Sequence, residues 1–345
     1  ASAVFMDGTH IKANANKKKS SNKIVEKQGK QYQQELEEEI NKDRETHGKK
    51  PLKKDDDNTP PPPEIKNIKE STTDPESGLF HKGEHEKCFA YTANTICDRN
   101  NFILGFSVGA GNIHDSRMFD DLYAKTIKKF TEIGIIAVDA GYKTPWIMKQ
   151  IIDSNRIPAV PYKRPMTKVG FFKKYEYVYD EYYDCMICPA NKVLKYSTTN
   201  RDGYREFKSD PQQCKGCEFL ANCTHSKAQQ KVVTRHVWES YMELAEEYRH
   251  TPVYRDVYQM RGQTIERVFA DAKEKHAMRY TQLRGLQKLK MQVTLTFACM
   301  NLKKLATWKR RKGLLPTAIQ YLYCKFASFL EKITYDKQKA TLRTA

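Results

Sequence analysis

The chain of 345 residues is long enough for one large domain with insertions or two smaller ones, so a core can form without disulfides. The formal net charge is +18, and residues 251 to 345 carry 20 Lys and Arg against 6 Asp and Glu, a field suited to a polyanion and above all to nucleic acid. No run of about 18 apolar residues is present, and the first residues lack a basic-then-apolar layout, so the expectation is a soluble cytoplasmic protein.

The first predicted element is a strand over "AVFMD", residues 3 to 7, ending on Asp7. Residues 17 to 70 are charged runs with a proline tract; they read as a flexible insertion with one exposed helix around 24 to 45 and little core to offer. "KCFAYTANTICD" and "NFILGFSVGAGN" are β-rich runs around the turn-like "DRNN", hence a hairpin. Asp74, in "STTDPES", is placed in a loop. After His114 and Asp115, "SRMFDDLYAKTIKKF" has helical spacing, with Asp115 or Ser116 as a possible N-cap. "GIIAVDAGY" is a buried strand that stops on Asp139, followed by a helix over "TPWIMKQIIDS" and a short strand "IPAVPY". The expected fold is therefore α/β, with a sheet of mixed direction.

Residues 165 to 235 interrupt this alternation with a block rich in aromatics and cysteine, whose Tyr204, Arg205 and Lys208 are candidates to touch DNA. The chain then turns helical. "TIERVFADAKEKHAMRY" puts Glu266 and Lys273 seven apart on one helix face, with Arg261 upstream, and a helix over 285 to 308 carries Leu286, Leu289, Val293, Phe297 and Leu302 at core spacing.

If Asp7 and Asp139 end neighbouring strands on one side of the sheet, two acids converge, and Glu266 on a nearby helix would make a third. Such hard oxygen ligands suit Mg²⁺ or Mn²⁺, and paired ions can activate an attacking oxygen and stabilise a leaving one in phosphodiester displacement. Repelling carboxylates gathered in one place are costly without a cation.

"VFMDGTHIKANANKKK", "GNIHDSRMF", "IIAVDAGY" and "TIERVFADAKEKHAMRYTQLRGLQKLK" together resemble the acid-bearing segments of bacterial insertion-sequence transposases of the DDE type, over residues 1 to about 310. The resemblance implies a ribonuclease H-like mixed sheet flanked by helices, with Asp7, Asp139 and Glu266 as a Mg²⁺- or Mn²⁺-binding catalytic triad. It also implies DNA contacts from Arg261 and Lys273, here with four residues rather than three between Arg261 and Glu266, and from Arg267 and Lys275 beside them. His114 and Asp115 would support the site. The implied partner is double-stranded DNA, both element ends and target, engaged by a dimer or higher oligomer in the bacterial cytoplasm at the nucleoid. A DNA-binding region ahead of the first acid is expected to be missing from this chain.

Five of the nine cysteines fall in residues 185 to 223, which suits a structural Zn²⁺ better than disulfides. Spacing alone offers the pairs Cys185 with Cys188 and Cys214 with Cys217. The resemblance favours Cys188, Cys214, Cys217 and Cys223, with Cys185 as an alternative first ligand and His225 as a possible substitute. Cys88, Cys97, Cys299 and Cys324 read as core residues.

The expected organisation is a first strand over 1–16, the charged insertion over 17–70, the ribonuclease H-like core over 71–164 and a zinc-binding insertion domain over 165–235. A helical completion of the core over 236–312 and a basic tail helix over 313–345 follow. The expected activity is DNA cleavage at element ends and strand transfer. The alternatives are a nuclease of the same fold that does not join strands, and a non-catalytic DNA-binding relic.

Overall fold

Alternating side chains of β1 (Ala3–Lys12) enter two different cores: Val4 and Met6 one, Phe5 and Ile11 the other. A strand buried on both faces belongs inside a sheet covered by helices on each side. The computed structural model describes residues 3–26, 32–52, 65–82 and 86–313, together with 325, 326 and 328. The expected tail helix therefore lies almost wholly outside the described residues, as does Cys324.

β2 (Ser20–Glu26) pairs with β3 (Ile65–Ser71) in a two-stranded sheet, and α1 (Gln33–Thr46) lies between them in sequence. β4 (Gly78–Lys82) and β6 (Ile103–Ala110) share one edge of the long β5 (Glu86–Asp98), whose other edge pairs with β1, all antiparallel. After α2 (Phe119–Lys129), β7 (Ile135–Val138) joins β1 in parallel; α3 (Pro145–Asp153) then leads to β8 (Ile157–Ala159), parallel to β7. The expected α/β architecture with a mixed sheet is present, compatible with a ribonuclease H-like fold.

A second, antiparallel sheet runs in the order β13-β12-β11-β10-β9. Its strands are β9 (Val178–Asp180), β10 (Cys185–Ile187), β11 (Val193–Thr199), β12 (Tyr204–Lys208) and β13 (Val232–His236), around Tyr177, Met186, Leu194, Phe207 and Val233. The short helices α4 (Pro211–Cys214) and α5 (Leu220–Cys223) sit between β12 and β13 in sequence. The rest is helical: α6 (Glu239–Arg249), α7 (Pro252–Gln259), α8 (Ile265–Lys275) and α9 (Leu286–Arg311).

The segment 17–70 departs from expectation. Its helix starts at Gln33, and it is built into the core: Leu36 and Ile40 are fully buried among residues of α2, α3 and β7. Asp43 pairs with Arg205 and accepts from the Thr199 hydroxyl, while Arg44 donates to Thr198 Oγ1 and to the Thr199 carbonyl at 2.8 Å each. Charge runs predicted a solvated helix because the buried acid's partners lie more than 150 residues away.

α9 also differs. Leu289, Val293, Phe297 and Met300 face the core, but Leu302 and Cys299, expected inside, are exposed. Its first turn is fixed from afar: Asp74 Oδ1 accepts from the Gly285 amide at 3.0 Å and from the Tyr91 hydroxyl at 2.8 Å, and Glu76 accepts from the Leu286 amide at 2.9 Å. Asp74 lies in the loop between β3 and β4, as expected, and from there is a buried anchor for the helix start.

Candidate active site

The parallel pairing of β1 with β7 runs from Ala3 opposite Ile135 to Met6 opposite Val138. The next residue of each chain is an aspartate, so Asp7 and Asp139 emerge side by side. Asp139 does follow the last residue of its strand. Asp7 does not end β1, as the sequence suggested: β5 continues to pair with it as far as Lys12, which holds Asp7 in a rigid mid-strand position opposite Thr95.

Arg261 joins the two acids. It lies in a tight helical turn, Met260–Gln263, ahead of α8, and is nearly buried. Its guanidinium donates to Asp7 Oδ2 at 2.8 Å, to Asp139 Oδ1 at 3.4 Å and to the Tyr258 hydroxyl at 3.2 Å. The planar fork suits two separate carboxylates in a way an ammonium would not. Burial nevertheless pushes the Asp7 carboxyl up to about 6, and the charges of Asp139 and Asp115 add to this, against the pull of Arg261 and of the Gly8 amide.

Asp115 is closer to this site than an N-cap would be. The cap of its turn is made by His114, whose Nδ1 accepts from the Ser116 amide at 3.3 Å. The Asp115 side chain instead turns towards β1 and β5: a Cβ on Gly8 would stand 2.5 Å from Asp115 Oδ1 and 2.5 Å from Asn94 Oδ1. Burial raises the Asp115 carboxyl against the pull of Thr92 and Asn94, and its Oδ1 has no close hydrogen-bond partner among the described residues. Tyr142, from the turn after Asp139, is fully buried; among the described residues its hydroxyl also lacks a partner, and it feels the charges of Asp115, Asp7 and Asp139.

Glu266 is exposed in the first turn of α8, with Oε2 3.8 Å from where a Gly262 Cβ would be. It stands just past Arg261 in the chain without joining the hydrogen bonds between Arg261 and the two aspartates. Lys273 follows on the same helix, partly buried. Arg267 and Lys275 take another face, where they line a groove between α8 and α9. Among the described residues, no three His, Cys, Asp or Glu side chains come together as a metal-binding group.

In the second sheet, Cys188, Cys214, Cys217 and Cys223 line one cavity of about 20 Å³. Cys185 is buried in β10 and lines a different hollow, with Tyr183 and Tyr196. The four thiols are engaged in part by protein groups: Cys214 donates to Ser209 Oγ at 3.2 Å, and Cys223 lies 3.3 Å from the Tyr177 hydroxyl. Of the residues expected to touch DNA from this block, Arg205 is turned inward to Asp43 and Asp184.

Residues 187–306 match the family model of the transposase DDE domain. This stretch, about a third of the chain, is similar to the DDE domain of transposases. No curated protein and no solved structure matches it. The matched stretch of the DDE domain takes in Arg261, Glu266 and most of α9, together with all four cysteines, whereas Asp7 and Asp139 precede it. No helix of the described residues is long and apolar enough to cross a membrane.

Sequence reasoning missed the contact of Arg261 with both aspartates, and it missed Tyr142. A signal existed for the second: Tyr142 follows Asp139 by three residues in an otherwise small-residue turn. Arg261 was expected as a DNA contact beside the acids, but nothing signalled that it bridges them, since its carboxylate partners are 254 and 122 residues away.

Proposed function

We propose that this chain is a transposase that cuts DNA at element ends and joins the freed 3′ ends to target DNA, with Asp7, Asp139 and Glu266 holding Mg²⁺ or Mn²⁺. The observation that carries this reading is the pair of carboxylates at adjacent positions of two parallel strands, held together by Arg261 in a chain with a stretch similar to the transposase DDE domain. The donor set fits a hard divalent cation: carboxylate oxygens, one with its pKa raised to about 6, beside a buried carboxylate oxygen on Asp115 that has no close hydrogen-bond partner among the described residues. A bound cation would supply Lewis-acid activation of a water or 3′ hydroxyl and stabilise the leaving oxygen.

The protein's own groups do the rest. The rigid β1 fixes Asp7, the β7 end fixes Asp139, and α8 presents Glu266 with Lys273 one face-repeat behind it, where the ammonium would meet a DNA phosphate. Arg261, once released from the aspartates, is placed to pair with a second phosphate. α9 carries seven Lys and Arg and no acid, so phosphate contacts would provide much of the affinity, and binding would weaken steeply with salt. Joining needs two ends held together, so an assembly of two or more copies on DNA belongs to the same proposal.

The test is Mg²⁺- or Mn²⁺-dependent cleavage of labelled duplex DNA by the chain and by Glu266→Gln, with folding checked by circular dichroism. Cation-dependent cutting lost in the folded variant supports the reading, and equal cutting by both overturns it. A strand-transfer assay on the same protein separates a transposase from a nuclease that cannot join.

The second part of the proposal is a structural Zn²⁺ held by Cys188, Cys214, Cys217 and Cys223. Its support is that these four thiols share one small cavity and Cys185 does not. Elemental analysis of protein purified without chelator tests it: about one zinc per chain, lost in Cys217→Ser but kept in Cys185→Ser, is the expected result. A zinc-free folded chain would overturn it.

A further inference from the structure

We infer that the groove between α8 and α9 is a binding site for an unpaired stretch of DNA strand, with phosphates on its basic rims and a base stacked on Trp308; the inference rests on the nucleic-acid reading above. The groove measures about 470 Å³, within the range of pockets that enclose a small ligand. Arg267 and Lys275 stand on the α8 side, and Lys303, Lys304 and Arg311 on the α9 side. Among the lining residues the carboxylate is Asp271, with which Lys275 pairs at 2.7 Å, and Asp98 lies close enough for its charge to act on Lys304.

Lys304 is the most telling member of the site. Burial lowers its pKa, and its ammonium donates to the Asn101 carbonyl rather than closing on a carboxylate. A cation partly withdrawn from water in this way, among further cations, calls for an anion from outside. The opposite charge that a protein surface would normally supply is missing along α9, which has no acidic residue.

Trp308 distinguishes a nucleotide from a simple anion. Trp146 and Trp238 are buried at 8% and 3% exposure, whereas Trp308 is 45% exposed at the groove, with Lys312 over its ring. A basic slot with an aromatic wall is the arrangement by which proteins hold single strands, phosphates on the rims and bases on the ring. The slot is concave and lies between two packed helices, so it admits one strand's nucleotides rather than the convex body of a duplex. Its first cation, Arg267, follows Glu266 directly, turned by about 100° around the same helix. A strand leaving the carboxylates would thus pass around α8 into the groove.

The test uses intrinsic tryptophan fluorescence of the whole chain, titrated with a single strand of about twelve nucleotides, the matching duplex, and heparin as a base-free polyanion. Quenching by the single strand and not by heparin is expected. Trp308→Ala should remove the quench and weaken single-strand binding, followed by anisotropy of labelled strand, about tenfold. Lys303→Gln combined with Arg311→Gln should weaken it and flatten its salt dependence, whereas Glu266→Gln should leave the quench intact. The inference is overturned if Trp308→Ala keeps full single-strand affinity, or if duplex quenches and binds as well as the single strand does. Cleavage by the unaltered chain is read separately: cutting without any single-strand binding in the groove overturns only the groove, whereas groove binding without any cutting leaves the groove standing and sinks the transposase reading.

Discussion

Arg261 donates to Asp7 at 2.8 Å across 254 residues of chain, and the same guanidinium reaches Asp139 at 3.4 Å. If Asp7 and Asp139 hold a divalent cation as proposed, the arginine and the cation would compete for the same carboxylate oxygens. Removing one partner of a nearly buried ion pair leaves the others uncompensated. Arg261→Gln should therefore destabilise the metal-free protein by about 3 kcal/mol. Mn²⁺ should recover more melting temperature in the variant than in the parent, because the freed aspartates bind it more tightly. Equal Mn²⁺ shifts in both proteins, measured by thermal melting, would show that the arginine and the ion do not share a place.

Gly8 follows Asp7 and has no room for a side chain. A methyl there would stand 2.5 Å from both Asn94 Oδ1 and Asp115 Oδ1, and neither side chain is the loose end of a flexible surface residue. Gly8→Ala should cost about 1–3 kcal/mol as β1 or the Asp115 turn shifts. Chemical denaturation measures that cost. An unchanged midpoint would mean that Asp115 can swing away, and so does not press on the backbone beside Asp7.

The Tyr142 hydroxyl is buried near three acids without a partner among the described residues. An unsatisfied polar atom in that setting costs folding free energy, and its removal without a change of shape recovers it. Tyr142→Phe should stabilise the chain in the absence of metal by about 1 kcal/mol. A lower melting temperature instead would reveal a hydrogen bond made by that hydroxyl in solution.

The parts of this molecule legible in the sequence are those written locally. The apolar runs in "AVFMD" and "GIIAVDAGY" gave two strands followed by an acid, and the helical pattern of "TIERVFADAKEKHAMRY" gave α8. What was not legible depends on partners far along the chain. Asp43 fell in a charge run read as solvated, and Asp74 in a loop, but both are buried, with Thr199 and Gly285, each more than 150 positions away, among their partners. Leu302 and Cys299 failed for another reason: α9 carries apolar residues on both its inner and outer faces, so periodicity does not say which face the core takes. At the site, the pattern brought Asp7 and Asp139 together but could not show that Arg261 links them while Glu266 stays exposed.

The turn that carries Asp139 and Tyr142 is tied down by Lys143, whose nearly buried ammonium pairs with Glu246 of α6 and donates to the Pro161 carbonyl at 3.3 Å. Burial works against the Glu246 carboxylate, but hydrogen bonds from Lys143 and Arg249 outweigh it and hold the pKa below the ordinary value. A carboxyl whose folded-state pKa lies below its unfolded value of about 4.3 contributes its full stability above that pH and loses it as pH falls through the folded value. Glu246→Gln should therefore cost about 2 kcal/mol near neutral pH, the worth of a charged hydrogen-bonded pair. The gap from the parent should close in acid, once the parent's Glu246 is itself protonated. Denaturation curves of the two proteins at neutral pH and below pH ~4 make the comparison. A gap that stays constant across this range would mean that the variant loses packing rather than charge, and that α6 holds the Asp139 turn by its apolar contacts alone.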